Sequence, residues 1–217
     1  MGTDIHMGCE VRNRKTGKWE TMKRKVFKGW NDEMTSVPYD NRNYNLFAIL
    51  ADVRNGYGFA GCITGDRFEP IAYPKGLPDD MDPDTAGYLS DEHTPSWLTL
   101  QELLEYDWSR KHKSCGYVGV KDYLDVILGK APNSWCGGIG GPKIAIISED
   151  EMKKRTLGEI QPAPGDETMY YTHCWFDVGT YKDCAGDFYT ETMEVLKTLI
   201  PDGGDASDVR IVFDFDS

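Results

Sequence analysis

VRIVFDFD (residues 209–216) and TDIHMGCEVR (residues 3–12) alternate apolar and polar side chains with a period of two, the pattern of a half-buried strand. In the second stretch Ile5, Met7, Cys9 and Val11 point one way, and Asp4, His6, Gly8 and Glu10 the other. In the first, Val209, Ile211, Phe213 and Phe215 share the core side, with Arg210, Asp214 and Asp216 opposite. Asn13–Gly17 turns and Lys18–Lys23 returns, so the chain opens with a hairpin. Strands at both ends with helices between them decide the fold class: α+β, with a mostly antiparallel sheet that includes the N- and C-terminal strands, helices on one face and a loop-rich middle segment.

Working inward, residues 28–43 lack periodicity and read as a loop. Tyr44–Arg54 carries Leu46, Phe47, Ile49, Leu50 and Val53 at helical spacing, with Asn55-Gly56 as the stop. Thr99 and Glu102 form a capping box that opens a helix burying Leu100, Leu103, Leu104 and Tyr106. A short helix over Lys121–Leu128 and a strand over Lys143–Ile147 follow, then a second box at Ser148–Glu151. Thr168–Asp177 reads as an aromatic strand, and Phe188–Ile200 as an amphipathic helix ended by Pro201. The 217 residues suit one domain, 1–217, in which 55–96 is a long loop-rich insertion. Long loops of this kind tend to carry function.

The chain holds 24 Lys+Arg against 36 Asp+Glu, a formal charge of −12. That excludes duplex nucleic acid as the main partner, because phosphate contacts need a basic surface. The charge is unevenly placed: residues 1–30 hold eight Lys/Arg and three Asp/Glu, whereas Lys75 to Arg110 encloses nine acidic residues and no basic one. No apolar run reaches the roughly 18–20 residues that span a bilayer, so a membrane is not expected as partner. No signal peptide is visible and His6 stands where a myristoylation motif needs Ser or Thr, so the expected location is the cytoplasm. The six cysteines form no C-x-x-C pair and are expected to be buried free thiols.

Three constellations carry candidate chemistry. If the terminal strands are neighbours, Asp4, His6 and Glu10 line one polar face with Asp214 and Asp216. That face is either the wet side of a sheet or a site: Asp4, His6 and Glu10 as ligands of a divalent metal, or His6 and Asp4 as an acid–base pair. His93, in a loop before the capped helix, can titrate or bind, with Trp97 as a stacking ring. The run Arg54-Asn55-Gly56-Tyr57-Gly58-Phe59, followed by Arg67, offers glycines for close backbone approach, two arginines for a phosphate and rings for a base. It lacks the Walker ending, and no G-x-S-x-G elbow occurs anywhere. His112, among Arg110, Lys111 and Lys113, reads as a residue at a helix C-terminus, and His173 as a packed strand residue.

The opening MGTDIH (1–6), the block LFAILADVRNGYGFAGCITGDRFEPIAYPKGLPDD (46–80), HTPSWLT (93–99) and the final VRIVFDFDS together resemble a family of uncharacterised proteins of tailed bacteriophages and prophages. The resemblance implies a phage setting, hence the host cytoplasm, and transfers no catalytic residue.

Three functions compete on these residues. One is an accessory hydrolase, metal-dependent in one form, acting on a nucleotide-like or phosphorylated small molecule. Its catalytic residues would be His6, His93 and Asp4; Arg54, Asn55, Tyr57, Arg67 and Trp97 would bind the ligand. The second is a binding protein that sequesters such a molecule or inhibits a host defence factor. The third is an interaction protein whose acidic 79–107 segment docks on a basic partner. A homo-oligomer is compatible with each.

Overall fold

The computed structural model describes residues 2–29 and 31–216; Met1, Trp30, Ser217 and the side chain of Phe59 lie outside the described residues. Nine strands occur among them: β1 (Ile5–Arg12), β2 (Trp19–Thr21), β3 (Phe27–Lys28), β4 (Met34–Thr35), β5 (His93–Thr99), β6 (Lys111–Gly119), β7 (Ile144–Ile146), β8 (Met169–Thr180) and β9 (Val209–Phe215). The α-helices are α1 (Tyr44–Ala51), α2 (Leu100–Glu105), α3 (Tyr123–Ile127), α4 (Glu149–Thr156), α5 (Tyr181–Ala185) and α6 (Met193–Thr198). The class is α+β. The chain divides into two units, the first made of 1–55, 68–108 and 184–217, the second of 56–67 and 109–183.

The first unit holds a four-stranded sheet in the order β2-β1-β9-β5, antiparallel at every pairing. The two terminal strands are therefore neighbours, with Ile5 opposite Phe215, His6 opposite Asp214 and Glu10 opposite Arg210. Every residue of β9 is buried, as its interior position requires. Ile5, Met7, Cys9, Leu98, Ile211, Phe213 and Phe215 form one face of the core, and Leu46, Phe47, Ile49 and Leu50 of α1 are buried with them. Phe47 meets Phe215 with ring centroids 5.1 Å apart. Each such side chain removed from water contributes roughly 1.5–3 kcal/mol. Thr99 and Glu102 make the expected reciprocal cap on α2, but Leu104 is exposed, because the helix ends at Glu105 and turns only Leu100 and Leu103 fully inward.

The opposite face of this sheet is not wet. A 3-10 helix, Pro83–Tyr88, with the residues either side of it straps across it. Glu10, Arg210 and Asp214 are at most 2% exposed. Glu10 Oε1 accepts from the Asp82 N–H at 2.7 Å and the Thr85 hydroxyl at 2.8 Å, while Oε2 accepts from Arg210 Nε at 2.6 Å. Arg210 Nη1 reaches Asp80 at 2.8 Å, and its guanidinium lies 4.0 Å from the centre of the Trp19 ring. The Asp214 carboxylate accepts from the backbone of Ser90 and Asp91. Gly8 lets the strap in: a Cβ there would stand 2.9 Å from Thr85 Cγ2. A polar face thus lies buried under a polar cover: Glu10 and Arg210 pair with each other, backbone N–H groups hold Asp214, and Arg210 Nη2 has no hydrogen-bond partner among the described residues.

The second unit holds a three-stranded sheet, β6-β8-β7, in which β7 and β8 are parallel. A parallel pair needs a crossover, and α4 with the 157–168 link supplies it. Val118, Tyr123, Met152, Cys174 and Phe176 form its core. The expected helix end at His112 is corrected: His112 lies in β6, buried between exposed Lys111 and Lys113. The flanking charges hid a period-two strand. Burial, only partly opposed by Asp66, pushes the His112 pKa down to about 4. All six cysteines are free. Among the described residues no helix is long and apolar enough to cross a membrane.

Candidate functional site

Three strand ends of the first unit come together: the start of β1, the end of β9 and the start of β5. Asp216, just past β9, is the hub. Its Oδ1 accepts from the Asp4 N–H at 2.7 Å, and its own N–H donates to the Asp4 carbonyl at 3.1 Å. Its Oδ2 faces His6 Nε2 at 3.2 Å, and its carbonyl faces His93 Nε2 at 3.1 Å. A carboxylate and a carbonyl only accept, so in the neutral rings both Nε2 atoms carry the proton. His93 Nδ1 then accepts from the Thr94 hydroxyl at 2.9 Å, whereas His6 Nδ1 has no protein partner among the described residues. Burial alone would raise the Asp216 carboxyl; the Asp4 N–H, the His6 imidazole and the Arg42 charge outweigh it and hold the pKa below the ordinary carboxylate value.

Two arginines flank this hub. Arg42 clamps the Asp4 carboxylate through Nε at 2.7 Å and Nη2 at 2.6 Å, a bidentate fork. Arg54 donates from Nε and Nη2 to the Thr3 hydroxyl at 3.0 and 2.8 Å, and its guanidinium lies 5.7 Å from the Tyr44 ring centre. At this rim of the sheet the positive charges of Arg42 and Arg54 are matched by the carboxylates of Asp4 and Asp216.

The backbone here is unusual. Asp52, Arg54, Asp91 and Thr94 all adopt positive φ, between 54° and 60°. For β-branched Thr94 that conformation is strained. The pairing of β5 also slips between His93 and Ser96, a bulge that re-aims His93. Thr3, Asp52, Arg54, His93 and Thr94 line a cleft of about 430 Å³. Strained residues and bulges gather at functional sites because the surrounding fold must hold them there.

The structure therefore brings Asp4, His6 and His93 together through Asp216, though not on one sheet face. His6 shares the face of its partner Asp214; His93 shares that of Phe215, whose ring it stacks on at 6.1 Å. They meet at the strand ends through Asp216; His93 lines the cleft with Arg54, while His6, Asp4 and Arg42 lie outside its lining.

Other candidate residues serve the fold. The metal set Asp4, His6 and Glu10 is corrected: Glu10 is consumed under the strap and Asp4 by Arg42, and among the described residues no group of three His, Cys, Asp or Glu could hold a metal ion. Asn55, expected to touch a ligand, is 3% exposed and clamps Phe68 instead: Oδ1 accepts from the Phe68 N–H at 2.6 Å and Nδ2 donates to its carbonyl at 2.8 Å. Trp97 lies beneath Lys75, whose Nζ is 4.2 Å from the ring centre, and so offers that face to a cation of the chain itself. Tyr57 and Arg67 belong to the second unit, where Tyr57 is 48% exposed beside a bridge to Ile63. Phe59, named as a ring for a base, has its side chain outside the described residues. Arg42 and Thr94 escaped sequence reasoning: Arg42 sits in a loop without periodicity, and nothing in a Thr announces a left-handed backbone.

No family model, no curated protein and no solved structure matches this chain.

Proposed function

We propose that this rim handles a small anionic molecule, nucleotide-like or phosphorylated, and that the chain is a hydrolase acting in the phage setting its sequence resemblance implies. The observation that carries the reading is the His6–Asp216 pair, 3.2 Å apart and set beside Arg42, Arg54 and His93. Asp216 orients the imidazole and holds the proton on Nε2. Nδ1 is then a lone pair on a ring 39% exposed, suited to taking a proton from water. Arg42 is matched by Asp4, so Arg54, held by the Thr3 hydroxyl, is the cation this reading uses for an anionic substrate and the negative charge that grows on it as water attacks. The acidic 79–107 segment supports an interaction role less well, because Asp80, Asp82 and Glu102 are engaged within the chain.

A second reading has one observation in its favour. Both ring nitrogens of His93 are held by the protein, which suits static binding better than proton transfer. Incubation with a panel of nucleotides and phosphate monoesters, followed by chromatography, separates the two. Turnover that His6→Ala abolishes supports the hydrolase. A ligand recovered intact, bound several-fold more weakly by Arg54→Ala, supports sequestration. Absence of binding to either protein removes the rim from consideration.

A further inference from the structure

The second unit carries a pocket that none of the reasoning above uses. Its volume is about 570 Å³, inside the range of roughly 300–1,000 Å³ typical of small-molecule sites. Four aromatic rings line it: Tyr117 of β6, Tyr170 and Tyr171 of β8, and Trp135 of the segment between α3 and β7.

The rings are held in place rather than hung in a loop. Tyr117 and Cys136 exchange backbone hydrogen bonds at 2.8 and 3.2 Å, fixing the segment that bears Trp135 against β6. Trp135 lies over Gly116 so closely that a Cβ there would stand 2.6 Å from a carbon of the indole. Its ring also meets Phe176 edge-on at 5.4 Å, yet Trp135 remains 37% exposed. On the other side, Tyr170 donates its hydroxyl to Asp166 at 2.7 Å, and the Arg155 guanidinium lies 3.7 Å from its ring centre. Arg155 is itself fixed by Glu151, through Nε at 2.9 Å and Nη2 at 2.8 Å. Trp135 and Tyr170 thus stand on the core side of the sheet, with the indole fixed by Gly116 and Phe176 yet still open to a ligand ring.

The charges say what kind of ring. The ionisable residues of the wall balance, Lys121 and Arg155 against Asp122 and Asp166, and Arg155 is already paired. The indole N–H of Trp135 has no protein partner among the described residues. The site therefore offers a flat apolar face with a donor at its edge and no net charge. We infer that this pocket binds an uncharged planar heteroaromatic molecule of nucleobase or nucleoside size, stacked on Trp135 beside Tyr170. It differs in chemistry from the histidine and arginine rim of the first unit, and it stands whether or not that rim has a substrate.

Isothermal titration of the full chain with adenine, adenosine, adenosine monophosphate and indole tests this directly. The expected result is that adenine and adenosine bind, that the monophosphate gains nothing over the nucleoside, and that Trp135→Ala weakens binding about tenfold or more, as loss of one stacking surface does. Tyr170→Ala, whose ring is on the same side of the sheet as Trp135, should weaken it in the same direction even if Trp135→Ala unfolds the unit. Arg54→Ala should leave the affinity unchanged. Three results would overturn the inference: no binding of any uncharged ring, binding indifferent to both aromatic substitutions, or binding that needs the phosphate and is lost with Arg54. Preference for indole over the nucleobases would overturn the heteroaromatic assignment, because the donor at the ring edge would then have no role.

Discussion

Asp216 concentrates more of the account than any other residue. One side chain and one carbonyl tie β1, β9 and β5 at the same end, through Asp4, His6 and His93. Asp216→Asn keeps the shape but loses the charge-assisted bonds, and is expected to cost about 1–3 kcal/mol in urea unfolding. The sign of its pH dependence follows from the depressed pKa. The Asp216 contribution is full above the unfolded-state value and is lost as pH falls through the lower folded value. The wild type should therefore lose stability relative to Asp216→Asn as acid is added below about pH 4, the ordinary Asp pKa. A constant gap between the two proteins across that range would contradict the pairing. Glu10 behaves differently, because its partner is buried with it. Glu10→Ala leaves the Arg210 guanidinium, 2% exposed, without its main counter-ion, and is expected to cost about 3–5 kcal/mol. His6→Ala removes one hydrogen bond from a half-exposed ring, so its melting temperature should stay close to wild type while turnover disappears. Asp4 and His6 stand in the period-two pattern that leads into β1, whereas His93 read as loop and begins β5 instead. Their meeting through Asp216 depends on strand order, which pairs distant segments and leaves no local trace.

At the scale of elements, the strap over the polar sheet face is the feature that period-two reasoning inverts. Alternation in β1 says that His6, Gly8 and Glu10 leave the apolar face; it does not say whether water or protein waits on the other side. Residues 80–91 look like loop because their contacts with the sheet are polar, made by backbone N–H groups and carboxylates rather than by apolar periodicity. Gly8→Ala tests the fit. The added methyl would need Thr85 or Tyr88 to retreat, with an expected loss of about 1–3 kcal/mol and faster amide exchange over 80–91. Unchanged exchange would mean that the strap is looser than its hydrogen bonds indicate. The terminal strands, α1 and α2 were legible because propensity, pattern and caps agree in them. β5 was not, because Pro95, the left-handed Thr94 and the bulge disguise it. β6 was not, because Lys111 and Lys113 surround its first buried residue.

At the scale of the molecule, the chain leaves the first unit after Asn55, returns at Phe68, leaves again after Trp108 and returns at Cys184. Asn55 closes the first excursion at its base by bonding both backbone atoms of Phe68. Asn55→Ala should therefore cost about 1–3 kcal/mol, the penalty for leaving buried backbone groups unpaired, and should do so without touching any ligand. The composition points the same way for both units. A chain of charge −12 gains little by recruiting anions to its surface at large, so the proposed anionic substrate would rely on local contacts with Arg54 and the histidines rather than on a net positive patch. Phosphorus-31 NMR of the purified chain incubated with nucleotides and phosphate monoesters, run beside His6→Ala, tests that claim most directly. The account predicts that the wild type releases inorganic phosphate from one of them and that His6→Ala, folded as judged by its melting temperature, releases none. Release that continues unchanged in His6→Ala would contradict it.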